Sequence, residues 1–137
     1  MIGIIGGMGP RASAAFLNTI YAYAQGHEIH APSVILHSVS GAPDRNAAVA
    51  GRGEEDLVSH IQRAGDILLD AGVLSVIIAC VTAHAFIPRL SLALQERIIS
   101  LVDVALREVE NRSNSLLMLC SEGSRRAQLF ESHQLWP

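Results

Sequence analysis

The sequence contains no lysine: its ten basic residues are all arginine. Chemistry that needs a lysine Schiff base, pyridoxal phosphate included, cannot be run from within this chain. Cysteine is scarce as well, with two in 137 residues, which points to a reduced, cytoplasmic setting rather than a disulfide scaffold. No apolar run approaches the roughly eighteen residues that a membrane span requires. The start, MIGIIGGMGP, has no basic residue and no long apolar core, so it does not read as a signal peptide. The arginines are scattered, only Arg125 and Arg126 being adjacent, and the net charge is −3, so no nucleic-acid footprint is visible. What the chain does have is a 50% hydrophobic composition with only 17% charged residues, enough for one ordinary core.

The hydrophobic residues fall into short β-branched runs separated by segments of helical period. Residues 2–6 (IGIIG) predict a buried strand. Pro10 suits a first helical position, and Phe16, Leu17, Ile20, Tyr21 and Ala24 form a stripe, predicting a helix over about 10–25. Residues 33–39 predict a second strand and 40–53 a loop. A helix over about 54–69 stops before Ala71–Gly72, and a third strand follows at 73–79. A helix over about 84–94 contains Pro88, so its first turn is irregular or it starts later. A fourth strand at 97–102, a helix at 103–112, a fifth strand at 115–120 and a helix at 123–133 complete the series. Alternating strands and helices predict an α/β fold: a Rossmann-like lobe with a four-stranded parallel sheet over 1–112. The unit at 113–137 would be the first strand and helix of a second, incomplete lobe. In such sheets ligands sit beyond the carboxyl ends of the strands, so residues just after strands are the site candidates.

Four segments meet that condition. Gly7, Met8 and Gly9 (GGMGPRA, 6–12) lie between a strand and a helix, where backbone N–H groups can approach an anion. Gly7, Gly9 and Ala12 also match the dinucleotide fingerprint, but no acidic residue ends the second strand to hold a ribose. A small-anion loop, a nucleotide site and a plain turn all remain open. In APDRNAA (42–48), Asp44 can cap locally, while Arg45 can offer a carboxylate a bidentate partner. In ACVTAH (79–84), Cys80 follows a buried strand and is either a reactive thiol or a small core residue. Thr82 can donate to a carboxylate or cap the next helix. Cys80 and His84 could form a metal pair with His27 and His30, but no second chelating spacing supports a metal. Ser121, Gly123 and Ser124 (LCSEGSRR, 119–126) repeat the strand-to-helix arrangement, with Cys120 read as the last buried residue of its strand. His27, His30, His37, His60 and His133 form no constellation and read as surface or locally bonded.

Taken together, MIGIIGGMGPRASAAF, the PDR at 43–45, ACVTAHAFIP and LMLCSEGSRRAQLF resemble the aspartate/glutamate racemase family in order and spacing. The branch most resembled is that of the cofactor-independent aspartate racemases and broad-specificity amino-acid racemases. The resemblance implies two facing α/β lobes, each with one cysteine. One thiolate removes the α-proton of an amino acid and the opposite thiol returns a proton to the other face, without a cofactor. It implies Cys80 as the first-lobe catalytic cysteine and Gly7, Met8 and Gly9 as the loop lining the substrate. Arg45 would recognise a side-chain carboxylate, favouring aspartate, glutamate or a related amino acid. Thr82 would bind a carboxylate, and Ser121, Gly123 and Ser124 stand where the family has T-x-G-T. It also implies a homodimer. Val81 occupies the place of asparagine in the family's C-N-T motif, and Cys120 does not match the second catalytic cysteine. The expectation is therefore a racemase site impaired in this chain taken alone, with a non-catalytic binding protein or truncated fragment as the alternative and a nucleotide-binding domain as a further one.

Overall fold

The computed structural model describes residues 1–110, 117–134 and Trp136. Three strands, β1 (Ile2–Gly6), β2 (Val34–Ser38) and β3 (Ser75–Ile78), form a parallel sheet in the order β2-β1-β3. Ile2 pairs with Val34 on one side and Ser75 on the other, so β1 is central and all three carboxyl ends lie at one edge. Helix α1 (Pro10–Gly26) joins β1 to β2. Helices α2 (Arg45–Val49) and α3 (Glu54–Asp70) join β2 to β3.

The two faces of the sheet are visible in its glycines. A Cβ on Gly3 would meet Leu68 of α3 at 3.0 Å, whereas one on Gly6 would meet Ser13 of α1 at 2.9 Å. Residues three apart on a strand point to opposite faces, so α1 and α3 cover opposite sides. The main core is on the α3 side. Leu57, Ile61, Ala64 and Leu68 recur at helical spacing on α3 and pack with Ile5, Val76 and Ile78 of the strands, along with Phe86 and Leu94. Gly65 lets Leu94 approach to where its Cβ would be, 2.3 Å away. The α1 side is thinner. Only Ser13 and Ala24 of α1 are buried, and Tyr21, read as part of the apolar stripe, is 42% exposed.

The expected four-stranded sheet is corrected to three strands and one isolated parallel bridge, Val76 to Ile98. The segment 97–102 cannot extend because both ends are taken into helical turns. Arg97 and Ile98 donate back to Leu94 and Gln95, closing α4 (Leu92–Gln95), while Ser100 caps α5 (Leu101–Glu110) through Asp103 N–H at 3.1 Å. Two hydrogen bonds remain, Val76 N–H to Arg97 O and Ile99 N–H to Val76 O.

The helix expected over 84–94 is instead a 3₁₀ segment, Val81–Arg89, followed by α4. The Cys80 carbonyl accepts from Ala83 N–H in a three-residue turn and also from the His84 ring, and Pro88 has no N–H to give. Residues 40–53 are not all loop: Asp44 caps α2 by accepting from Asn46 and Ala47 N–H. Residues 117–120 form no strand, and residues 115–116 and the 112/113 lobe boundary lie outside the described residues. The last helix is shorter than expected, α6 (Glu122–Arg126), continued by turns. A second, smaller cluster joins this segment to α5: Val102, Leu106 and Phe130, with Val81, Met118 and Trp136 packed against them.

His84 ties these parts together. It is 5% exposed; its Nδ1 lies 3.0 Å from Cys80 O and its Nε2 accepts from Leu101 N–H at 3.0 Å. An Nε2 that accepts carries no proton, so the ring is the neutral Nδ1–H tautomer donating to Cys80 O. Burial accordingly lowers the His84 pKa below its ordinary value of 6.5, against the pull of the backbone bonds. Because the folded value is the lower one, the unfolded chain binds the extra proton first. The His84 contribution is present above pH 6.5 and is lost as pH falls below it toward the lowered folded value. His84→Ala is expected to destabilise the protein by about 2–4 kcal/mol at neutral pH. Urea unfolding between pH 5 and 8 should show the gap between wild type and variant shrinking as the pH drops; a gap constant across that range would refute the assignment.

Candidate functional site

With the order β2-β1-β3, the chain leaves β1 toward one side and later returns to the other. The switch point therefore lies between the carboxyl ends of β1 and β3. The two segments that flank it are Gly7–Gly9 and Ala79–Thr82, and Ala79 N–H donates to Ile5 O at 2.9 Å. Topology thus puts two of the four sequence candidates side by side, although they are 70 residues apart.

The Gly7–Gly9 loop is built tightly. Gly7 has φ +89°, and a Cβ there would stand 2.0 Å from Val39 O. Only glycine lets the chain turn here against the end of β2. The Gly7 N–H donates to Ser13 Oγ at 3.3 Å, and Ser13 Oγ donates to Gly9 O at 3.1 Å. That amide is consequently committed within the protein and is not offered to an anion. Met8 is 6% exposed and belongs to the main core. Ser13, completely buried, is the residue that sequence reasoning missed; its signal is a hydroxyl in the first turn of the helix that a glycine loop opens.

Cys80 is half-buried at the start of the 3₁₀ segment, in extended conformation with φ −157°, and packs at the margin of the main core. Its amide donates to Ile78 O at 2.7 Å. With the carbonyl held by Ala83 and His84, the backbone on both sides of the Cys80 Cα is fixed. Val81 turns the other way and packs on the second cluster, where it lines a groove of about 410 Å³ with Thr82, Met118, Leu119, Cys120 and Phe130. Cys120, expected as the buried end of a strand, is exposed there.

The hydroxyls of Thr82, Ser121 and Ser124 meet at the base of this groove. Thr82 Oγ1 is 2.9 Å from Ser121 Oγ and 3.0 Å from Ser124 Oγ, and the two serines are 3.0 Å apart. Gly123 makes the junction possible: a Cβ would stand 2.3 Å from Asn46 Oδ1 and 2.7 Å from Thr82 Cγ2. Helix α2 thereby packs on both α6 and the 3₁₀ segment. Arg45, its first residue, is half-buried, with Nη1 donating to Pro43 O at 3.5 Å.

A metal site finds no support among the described residues, where no three His, Cys, Asp or Glu side chains are grouped to hold an ion. Both ring nitrogens of His84 are bonded, and His133 contacts Asp103 at 2.7 Å. His60 is not locally satisfied as expected: its Nε2 is buried without a partner. Burial, then Arg63 and His37, lower its pKa and favour the neutral ring. No helix among the described residues is long and apolar enough to cross a membrane.

The glycine constraint is directly testable. Gly7→Ala is expected to cost at least about 2 kcal/mol, from the left-handed backbone and the collision with Val39 O. Chemical denaturation measures it, and a variant as stable as wild type would show that the loop has another conformation available.

Comparison with known proteins bears on the same segments. The family model described as Asp/Glu/Hydantoin racemase matches residues 5–133. The broad specificity amino-acid racemase RacX of Bacillus subtilis (strain 168) is 22% identical over 136 residues, covering 96% of this chain and 59% of that protein. Among solved structures, Picrophilus torridus aspartate racemase superposes with a TM-score of 0.78 at 21% identity, over 95% of this chain and 56% of that one. An aspartate racemase homologue from Pyrococcus horikoshii OT3 superposes with a TM-score of 0.65 at 20% identity, over 82% of this chain and 49% of that one. The chain thus spans between 49% and 59% of the length of these relatives, and the solved structures share its α/β fold. With nearly all of its length matched by one family model, the chain belongs to the Asp/Glu/hydantoin racemase family.

Proposed function

We propose that this chain supplies one face of a pyridoxal-independent amino-acid racemase site in which Cys80 exchanges the α-proton. The observation that carries the reading is the place of Cys80: two residues beyond β3, at the switch point of the sheet, with its backbone fixed on both sides. A thiolate there takes the proton from the α-carbon, forming S–H and leaving the electron pair on carbon, delocalised into the carboxylate. Returning the proton from the same sulfur restores the original enantiomer. Inversion needs an acid on the opposite face, and Cys80 alone does not supply one. The chain spans 59% of the length of RacX, and full racemisation belongs to the reading in which a second acid faces Cys80.

The substrate in this reading is an α-amino acid. Arg45, at the start of α2, is the group that would recognise a side-chain carboxylate and so favour aspartate or glutamate. Gly7–Gly9 would line the substrate by shape, and the hydroxyls at the groove would meet its carboxylate. Val81 contributes an apolar wall and no hydrogen bond to the ligand.

The test is incubation with L- and D-aspartate and L- and D-glutamate in deuterium oxide without pyridoxal, followed by proton NMR and chiral chromatography. Deuterium uptake at the α-carbon is expected, falling at least about 100-fold in Cys80→Ser. Uptake with retained configuration marks a single working base, and uptake with loss of configuration marks two. Binding without uptake would instead make this a non-catalytic binding member of the family.

A further inference from the structure

Helix α1 is exposed along most of its length, yet from Ala12 to His27 the chain has no Asp, Glu or Arg. Helix α3, of the same length, carries Glu55, Asp56, Arg63, Asp66 and Asp70 at exposed positions. A helix that faces water normally shows such a charged side, and an exposed side without it marks a surface that something covers. At helical spacing, Ala12, Ala15, Thr19, Ala22 and Tyr23 share one side of α1, and all five are exposed. The Thr19 hydroxyl donates to Ala15 O at 2.9 Å, so even this polar group needs no outside partner.

Beside that face lies an apolar groove of about 290 Å³, walled by Phe16, Ile20 and Tyr23 of α1 and by Ile29 and Pro32 beyond it. The end of the helix builds the second wall. Glu28 adopts φ +53°, and Ile29 N–H donates back to Ala24 O at 3.0 Å, folding the chain alongside α1. Tyr23 is 58% exposed and Ile29 55%. The Tyr23 ring is held nonetheless: it stacks on His27 with centroids 3.9 Å apart, and the His27 ring is bonded to Tyr23 O at 2.9 Å. An aromatic side chain already held in place loses little freedom when another surface packs on it.

The charges missing from the body of α1 stand at its two ends, Arg11 at the start and Glu28 just past the finish. Among the described residues neither has an ion-pair partner. Opposite charges at opposite ends of one uncharged helix make a self-complementary surface. We propose that the occupant of this face is α1 of a second copy of the chain, laid antiparallel about a two-fold axis. Arg11 of each copy then meets Glu28 of the other, and the two helix dipoles oppose. The midpoint of that register falls between Thr19 and Ile20, which sets Phe16 opposite Tyr23 of the second copy, so groove residues meet groove residues. Ala12, Ala15 and Ala22 let the helix axes approach to roughly 8–10 Å. One helix and one short loop per copy is less than the roughly 800 Å² per partner of a standard stable interface, so the dimer is reversible, in the micromolar range.

Sedimentation velocity of the full chain, from about 1 to 300 μM, tests the pairing. Wild type is expected to pass from monomer to dimer across that range. Arg11→Glu and Glu28→Arg each bring like charges together twice, and each should raise the dissociation constant at least about tenfold. The double variant Arg11→Glu/Glu28→Arg restores both ion pairs and should return to within about threefold of wild type. Tyr23→Glu, which would bury a charge between the copies, should leave the chain monomeric. These positions are exposed, so far-ultraviolet circular dichroism should match wild type for every variant. A wild type that stays monomeric throughout overturns the pairing and leaves the face to a different partner. Association that the single charge variants leave unchanged, or that the double variant fails to restore, also overturns it and moves the contact elsewhere, such as the exposed Leu117 and Leu119.

Discussion

The close approach of both helical layers to β1 is the constraint on which the remaining structure depends. The strand is central, paired on both sides, and carries a glycine toward each layer. A methyl on Gly3 would meet Leu68 and Val73, and one on Gly6 would meet Leu36 and Ser13. Isoleucines at 4 and 5 fill the remaining volume and are fully buried. Because α1 can sit this near, Ser13 reaches back to Gly7 and Gly9 and holds the loop that β1 leads into. The loop geometry at the switch point therefore follows from the packing at Gly6, the residue before it.

The same economy operates at the other side of the switch point. The 3₁₀ segment after β3 contains Pro88, which removes a main-chain donor from it. His84 compensates by spanning from Cys80 O to Leu101 N–H, so a buried neutral imidazole does work that an α-helical ladder would otherwise do. Beyond it, Val81 and Thr82 divide the chain's attention. The valine packs with α5 and Phe130, and the threonine joins the serine hydroxyls. The C-terminal segment is thereby fastened to the first unit by one apolar cluster and one polar ring, next to each other.

The grouping of the candidate segments was legible from residue order. Strand ends in a parallel sheet converge at one edge, so residue order alone groups Gly7, Cys80 and Thr82. What residue order did not show was which polar groups are already spent. The Gly7 amide reads as an anion donor, yet Ser13 consumes it; His84 reads as a possible ligand, yet both nitrogens are bonded. Such partners sit four to seventeen residues away and leave no periodic trace. The fourth strand fails for a related reason. IISLV is β-branched and apolar, but Ser100 and Leu94 draw its ends into helical turns, and local capping wins over strand propensity.

The sequence by itself determined the α/β class, the positions of β1, α1 and α3, and the segments that must lie beyond the strands. Those follow from hydrophobic period, glycine and proline, which act locally. Only the tertiary structure decided that the sheet has three strands, that Met8 and Val81 are packing residues, and that three hydroxyls from two distant segments close into one ring. These depend on which atoms meet across 39 and 42 residues of chain, and a side chain's hydrogen-bonding capacity is known only once its neighbours have claimed their share.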